Sequence, residues 1–561
     1  MASRGHNRTR GIVSGIALFT LLSLGAVLTT LTTTTNLISL PNVLLSTTTT
    51  KHNKHGGSIC PQPDYSRPFN SSGYFDTPQF WDLQKGRLSE AIRHNTVSYD
   101  DLGDPLPAKG EKRDERWDVF DTFQTFLRET YPLSFSKTKV EKVGGYTLIL
   151  TLEGTTDAKP LLLTGHQDTV GVGSLADWDH PPFDGYFDGE FIWGRGSSDC
   201  KTNVIGLLSV LEHLLENEYT PRRTLILGFT QDEESGGRGS TAINATLGER
   251  YGKNGIELIL DEGGAGLNDE WGPLLALPGL AEKGIANLQF TVTSPGGHSS
   301  VPPKHTSIGF LAHILSLVED ADIFQPALTT SHPYYHYLEC VSEHGDPSLV
   351  PKWLDSELSN GNKKDLSGLA RKVQEIVGTT EKWLLTTTRA VTRIGGGIKN
   401  NVLPDEAHFL VNSRLEVTTT PQEYVQTIVD TVLPLASKLD LTVKVSNQTL
   451  HTGSSGILTI EPTMLHPAAP ITSWKSPQWA ILGQAIRATW GPETITAPSL
   501  ATGNTDTARY WDLTENIVRW TPLRVEARVG IHGANERIQL KSHLEAVKFY
   551  HELILRFDEI A

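Results

Sequence analysis

Five short segments hold most of the side chains in this chain that could do chemistry together. GHQDTV (165–170) sets His166 and Asp168 two positions apart, on one side of an extended segment, which suits a metal-binding imidazole and the carboxylate that orients its ring. GRGSSDCK (194–201) puts Asp199 in a Gly/Ser-rich turn just ahead of a helical stretch. TLILGFTQDEESGG (224–237) ends an apolar run in Asp232, Glu233 and Glu234, and IELILDEGG (256–264) repeats that design with Asp261 and Glu262. VGIHGANE (529–536) adds His532 in a glycine-flanked loop. Each piece alone has an ordinary reading: a loop histidine, a helix N-cap or a solvated run of acids. Together they change the argument, because parallel strands bring their carboxyl ends to one crevice. Carboxylates gathered there repel one another unless divalent cations compensate them, and a mixed His/Asp/Glu donor set suits zinc better than magnesium or calcium.

The elements that must position these groups follow from periodicity. Tyr146–Leu152, Leu161–Gly165, Thr224–Thr230 and Glu257–Leu260 read as strands, with Asn203–Glu216 an amphipathic helix among them, which predicts an α/β domain with a largely parallel sheet. Between residues 283 and 447 the texture changes. Ile285–Val292, Ser307–Val318, Thr386–Ile394, His408–Glu416, Pro421–Lys438 and Leu441–Val445 read as strand, helix, two strands, helix and strand. This predicts a separate α+β module inserted between two parts of the first domain, 76–282 and 448–561, with Glu339–Thr380 a polar excursion inside the module.

The N-terminus carries Arg4, Arg8 and Arg10, then a mainly apolar run over 12–31, with no further charge until Lys51. That length and flank predict a transmembrane signal anchor, with residues 1–11 cytosolic and the bulk of the chain on the luminal side. A cleaved signal peptide is the competing reading. Residues 32–75, rich in Thr, Ser, His and Pro, read as a stalk. Sequons at Asn70, Asn244 and Asn447 would be luminal glycosylation sites, while the one at Asn7 would be cytosolic. Three cysteines, Cys60, Cys200 and Cys340, allow at most one disulfide and leave the compartment open. A net charge of −15 disfavours binding to phosphate backbones, so nucleic acid is not an expected partner.

In this order, GHQDTV, GRGSSDCK, DEESGG, LDEGG, SPGGHSSVPP and GIHGANE resemble the aminoacylase/carboxypeptidase family of co-catalytic zinc peptidases. Within it they resemble the vacuolar carboxypeptidase S branch of fungi, which is related to animal N-acyl-amino-acid hydrolases. The resemblance implies an α/β/α sandwich with an inserted lid domain through which relatives dimerise, and hence a homodimer. It implies two zinc ions per subunit bridged by Asp199, with His166 and Asp261 completing one site and Glu234 and His532 the other. The family takes Asp or Glu at the position of Asp261, which leaves Glu262 open as an alternative. Asp168 would orient His166, and Glu233 would be the general base acting on a metal-bridging water. The family pattern also assigns His298 to oxyanion stabilisation and Arg414 to clamping a substrate α-carboxylate. Asn401 would add a hydrogen bond, Gly503 and Asn504 would line the substrate pocket, and Cys200, expected to face away, has no role.

The implied protein is a membrane-anchored vacuolar metallocarboxypeptidase acting on short peptides with a free C-terminal carboxylate. Hydrolysis or synthesis of N-acyl amino acids is the enzymatic alternative, and a catalytically inactive binding ectodomain is a third reading. That third reading calls for a missing ligand or a missing Glu233, and none is missing. His551–Glu552 starts an HExxH pattern that Leu555 breaks, and no G-x-S-x-G or Walker A segment occurs.

Overall fold

The computed structural model describes residues 57–376 and 381–561. The strands that carry the acids belong to an eight-stranded mixed sheet. Its order is Lys139–Val143, Thr147–Leu152, Leu225–Thr230, Leu161–His166, Leu258–Asp261, Ile517–Arg519, Gly279–Glu282 and Ser499–Ala501. The four strands from Leu225–Thr230 to Ile517–Arg519 run parallel. TLILTL, LLLTGH and LILGFT are buried at every position, as strands covered on both faces must be. Alternate side chains go to opposite layers. Leu161, Leu163, Leu225 and Leu227 pack with the helices Lys201–Glu216, Pro477–Trp490 and Leu540–Glu559, whereas Leu162, Ile226 and Ile259 pack with Ile243 and Leu247 of Arg238–Tyr251. This is the expected α/β/α sandwich, with its sheet mixed and its parallel part central.

Gly279–Glu282 ends in the catalytic sheet and Gly284–Thr293 begins a second sheet, so Lys283 alone separates them. The second sheet runs Ala390–Gly396, Glu406–Leu415, Gly284–Thr293, Gly456–His466, Leu441–Val445 and Gln448–His451. Strict alternation of burial along Gly284–Thr293 and Glu406–Leu415 marks one covered face. There Phe290 stacks on Phe409 at 4.6 Å between centroids, under the helices Ser307–Asp320 and Pro421–Lys438. The latter helix starts with a capping box formed by Thr420 and Glu423, and Pro421 occupies its first turn. The lid is therefore an α+β module, but it does not end at 447. Past 447 the chain turns through HTGSSG (451–456) into Gly456–His466, paired along Gly284–Thr293, and it returns only near Ala469, whose N–H donates to Glu282 O at 3.0 Å.

Two further segments differ from their sequence readings. The excursion begins earlier than Glu339 and is helical: Pro333–His344, Lys352–Asn360 and Ser367–Ile376, followed by the turn Glu381–Leu385. Its apolar residues share a core with Leu275, Leu277, Ala281, Ile495 and Leu500, so it packs on the catalytic part instead of the lid. The described part of the expected stalk is likewise not free-standing. Cys60 is buried and disulfide-bonded to Cys340, Phe69 N–H donates to Glu552, and Phe75 lies in the main core against Phe80 and His551. Scattered aromatic residues without periodicity hid these anchor points. Among the described residues no helix is long and apolar enough to cross a membrane, and the anchor expected at 12–31 lies outside them. Asn70 and Asn447 are exposed, the latter in the turn after Leu441–Val445, and Asn244 is half-buried in Arg238–Tyr251.

Candidate active site

The carboxyl ends of the parallel strands deliver His166, the 231–234 turn and Asp261 to one edge, and two loops meet them there. Asp199 stands at the centre. Its Oδ1 lies 3.1 Å from His166 Nε2 and its Oδ2 lies 3.0 Å from His532 Nε2, so one carboxylate spans two imidazoles. His532 Nε2 is also 3.2 Å from Glu234 Oε1, and Glu233 and Glu234 come together with His166. Burial alone would raise the Asp199 carboxyl, but its bonds to His166 and His532 hold it well below the usual carboxylate range. The same bonds, to Asp199 first and then to Glu234, push His532 up to about 10. Side-chain exposure rises from 1% at His166 to 19% at Asp199 and 52% at His532, so the site opens on the His532 side.

Asp261 and Glu262 part company in the fold. Asp261 Oδ1 accepts from Thr164 Oγ1 at 2.7 Å, and its other oxygen is buried without a hydrogen-bond partner. Of the charges acting on Glu262, the Asp199 carboxylate is the strongest, and it adds to burial in raising Glu262. Burial also pushes Glu233 well up, His166 opposes this, and Glu262, Asp506 and Glu234 reinforce it. Buried carboxylates crowded together are costly unless cations compensate them, and Asp199, Glu234 and His532, like His166, Glu233 and Glu234, gather within reach of a common ion. The donor set fits that purpose. His166 Nδ1 is 2.9 Å from Asp168 O and 3.4 Å from its Oδ1, so Asp168 holds the Nδ1 edge and turns Nε2, the atom that would meet a metal ion, toward Asp199.

The supports of the site were only partly visible in sequence. Asp168 does more than orient His166: its carboxylate accepts from Ser98 Oγ and from the N–H groups of Glu233 and Glu234, fixing the acid turn. Glu536 went unassigned. Fully buried, it accepts from Gly196 N, Ser198 N, Asp199 N and the Arg195 guanidinium, tying the GRGSSDCK loop to the segment that carries His532. A buried acid in a run of small residues, GANE, is the one signal that could have flagged it. Cys200 also departs from expectation. It does not face away; its Sγ accepts from His166 N–H at 3.1 Å, and burial pushes the thiol above its ordinary range.

From the lid side, Arg414 Nη1 donates to Asn504 Oδ1 at 2.7 Å, and Asn504 Nδ2 donates to Lys283 O at 2.8 Å. Arg414, Asn504 and neighbouring Gly503 are thus brought together at the junction of lid and catalytic part. His298 and Asn401 sit instead on an exposed two-strand ribbon, Gly297–His298 with Val402–Leu403. Their bonds stay local: His298 Nδ1 with Ser300, and Ser299 N–H with Asn401 O.

Residues 162–556 match the family described as peptidase family M20/M25/M40. An uncharacterized carboxypeptidase of Schizosaccharomyces pombe is 35% identical over 89% of this chain and 83% of its own length. Carboxypeptidase S of Saccharomyces cerevisiae is 32% identical over 86% of each chain. An N-fatty-acyl-amino acid synthase/hydrolase of Danio rerio is 32% identical over 83% of this chain and 84% of its own. Among solved structures, an M20 family metallo-carboxypeptidase from Sulfolobus solfataricus superposes with a TM-score of 0.57 at 19% identity, covering 85% of this chain and 99% of that one. The chain belongs to peptidase family M20/M25/M40, among its metallocarboxypeptidases.

Proposed function

We propose that this protein removes the C-terminal residue from short peptides, with two zinc ions held around Asp199 and Glu233 as general base. The observation that carries the reading is the Asp199 carboxylate spanning two imidazoles, with Glu234 against one of them and Glu233 outside those bonds. His166 would complete one metal position with Asp199, and Glu234 and His532 the other. For the remaining donor at the first position we assign Glu262 in preference to Asp261, because Asp261 Oδ1 is engaged by Thr164 while Glu262 faces the open cavity beside the cluster. Two divalent cations bound there polarise the scissile carbonyl and make water nucleophilic at neutral pH. Glu233 takes the proton of the attacking water and returns it to the departing amine, a role that requires its oxygens to be unligated. Arg414, braced by Asn504, offers a planar fork to the free α-carboxylate of the substrate.

The N-terminal apolar run and the carboxypeptidase S relative support placement in the vacuolar membrane with the catalytic part luminal, and the family resemblance supports a homodimer formed through the lid. The second reading, N-acyl-amino-acid hydrolysis or synthesis, is favoured by the N-fatty-acyl-amino acid relative. The test uses the purified full chain against an N-blocked dipeptide offered as free acid. Activity should vanish with a chelator and return with zinc, at two ions per chain by elemental analysis. One ion per chain in active protein, or no chelator effect, overturns the mechanism. In the same assay Glu262→Gln should lower metal content more than Asp261→Asn, and the opposite order returns the ligand role to Asp261.

A further inference from the structure

A cavity of about 490 Å³ reaches Glu262, at the edge of the metal cluster. Gly503 and Thr505 line it, while Asn504 between them turns to Arg414, so one loop serves two places. Its walls are apolar: Leu277, Tyr337, Leu384, Leu500 and Val525. Its charged lining is wholly acidic, comprising Glu262, Asp269, Glu270 and Glu526, with no Lys, Arg or His. That lining offers a carboxylate no cationic side chain. The free carboxylate of the substrate therefore belongs at Arg414, and the acyl portion across the scissile amide remains for the cavity.

We propose that this cavity is the acyl-side specificity site and that it selects a bulky apolar group, with Tyr337, Leu384 and Val525 as specificity-determining residues. The inference rests on the amidohydrolase reading above. Its size falls in the usual range of ligand sites, and at the liquid-water share of volume it holds about 16 non-hydrogen atoms. Tyr337 and Leu384 come from the helical excursion, and Trp271 Nε1 donates to Tyr337 Oη at 2.7 Å, which fixes that ring in the wall. A fatty acyl chain and an apolar penultimate side chain offer the same chemistry here, and two substrate series separate them.

In the first series, acetyl-, butyryl-, hexanoyl- and decanoyl-leucine are hydrolysed by the full-length zinc enzyme. In the second, the substrates are N-acetyl-X-leucine with X as Gly, Ala, Leu or Phe. At least one series should show kcat/KM rising by about four-fold per added CH₂ until the cavity is full. A rise in the first assigns a fatty acyl chain, and a rise in the second a penultimate side chain. Val525→Trp, at a position exposed enough to accept the change, should flatten the rise by several-fold at its top, and Leu384→Ala should weaken it. Turnover of the short substrates with no dependence on acyl size overturns the cavity assignment and leaves the peptidase reading standing. A size dependence untouched by both variants overturns it as well. No turnover of any member overturns the reading beneath it.

Discussion

The metal cluster and the apolar cavity meet at Glu262, yet they are built in opposite ways. Donors of the cluster project from adjacent strand ends and from two glycine-bounded loops, and Glu536 and Asp168 fasten those loops through backbone N–H groups. The backbones that carry Asp199, Glu233 and Glu234 are therefore fixed directly. The cavity has walls from the 262–270 loop, the 499–505 segment, Val525 and the helical excursion, joined by side-chain packing, and the Cys60–Cys340 disulfide ties the excursion to the N-terminal segment. Reaction geometry needs placement to fractions of an ångström, which paired strands supply, whereas selecting an apolar group needs only volume. The excursion can change its lining without moving a single donor atom.

Substitutions can break or sharpen that contrast. Asp199→Ala removes the group shared by both imidazoles, so both ions should be lost and activity should fall to background; retention of one ion would show the two positions to be independent. Glu233→Gln should keep both ions while kcat falls by about 10²–10⁴. If Asp232→Asn produces that loss and Glu233→Gln does not, the base has been misassigned. Glu536→Gln touches no donor atom but frees the loops of both Asp199 and His532, so metal affinity should weaken by about 10–100-fold, the usual scale for outer supports. Titration with a competing chelator reads this, and unchanged affinity would make Glu536 merely structural.

Arg414→Ala should raise KM by about 10–100-fold, the worth of charged hydrogen bonds, and erase the preference for a free-acid over an amidated dipeptide; Arg414→Lys should recover it in part. A surviving acid/amide ratio would move carboxylate recognition elsewhere. The smallest effect on chemistry belongs to Cys60→Ser. It should cost about 2–4 kcal/mol of stability, seen as a lower Tm, with metal content intact, and loss of metal would contradict the separation of cluster and excursion.

The sequence made the two regions unequally legible. His166, Asp199, Glu233, Glu234 and His532 stand in short segments whose residue types have few reasons to coexist, and strand ends converge by topology, so their meeting could be anticipated. The choice between Asp261 and Glu262 could not, since neighbouring residues at a strand end point to opposite sides and the pattern does not say which side holds the metals. Nor could the excursion's packing be read. Cys340 lies in the polar stretch, Tyr337 and Leu384 just beyond its two ends, and their partners Leu277, Leu500 and Cys60 are far away in the chain. The lid boundary slipped locally: past 447, HTGSSG turns the chain into Gly456–His466.

The single residue between the two sheets has a mechanical consequence. The outgoing crossing at Lys283 and the return near Ala469 are bonded side by side through Glu282 O, and Lys283 Nζ is tethered to Trp383 O and Thr386 O. With the two further connections through the excursion, joined to each other by Ala327 N–H to Leu385 O at 2.8 Å, these crossings define an axle. Arg414 pairs with Ile285, two residues beyond Lys283, so it sits almost on that axis. His298 lies past the far end of the same strand, and eight residues from Ile285 to Thr293 at about 3.3 Å each set a lever of roughly 26 Å. A small swing of the lid would carry His298 through a long arc and leave Arg414 nearly still. Under the role proposed for Arg414, its hold on a substrate carboxylate would change little with such a swing, whereas the His298 tip would move most.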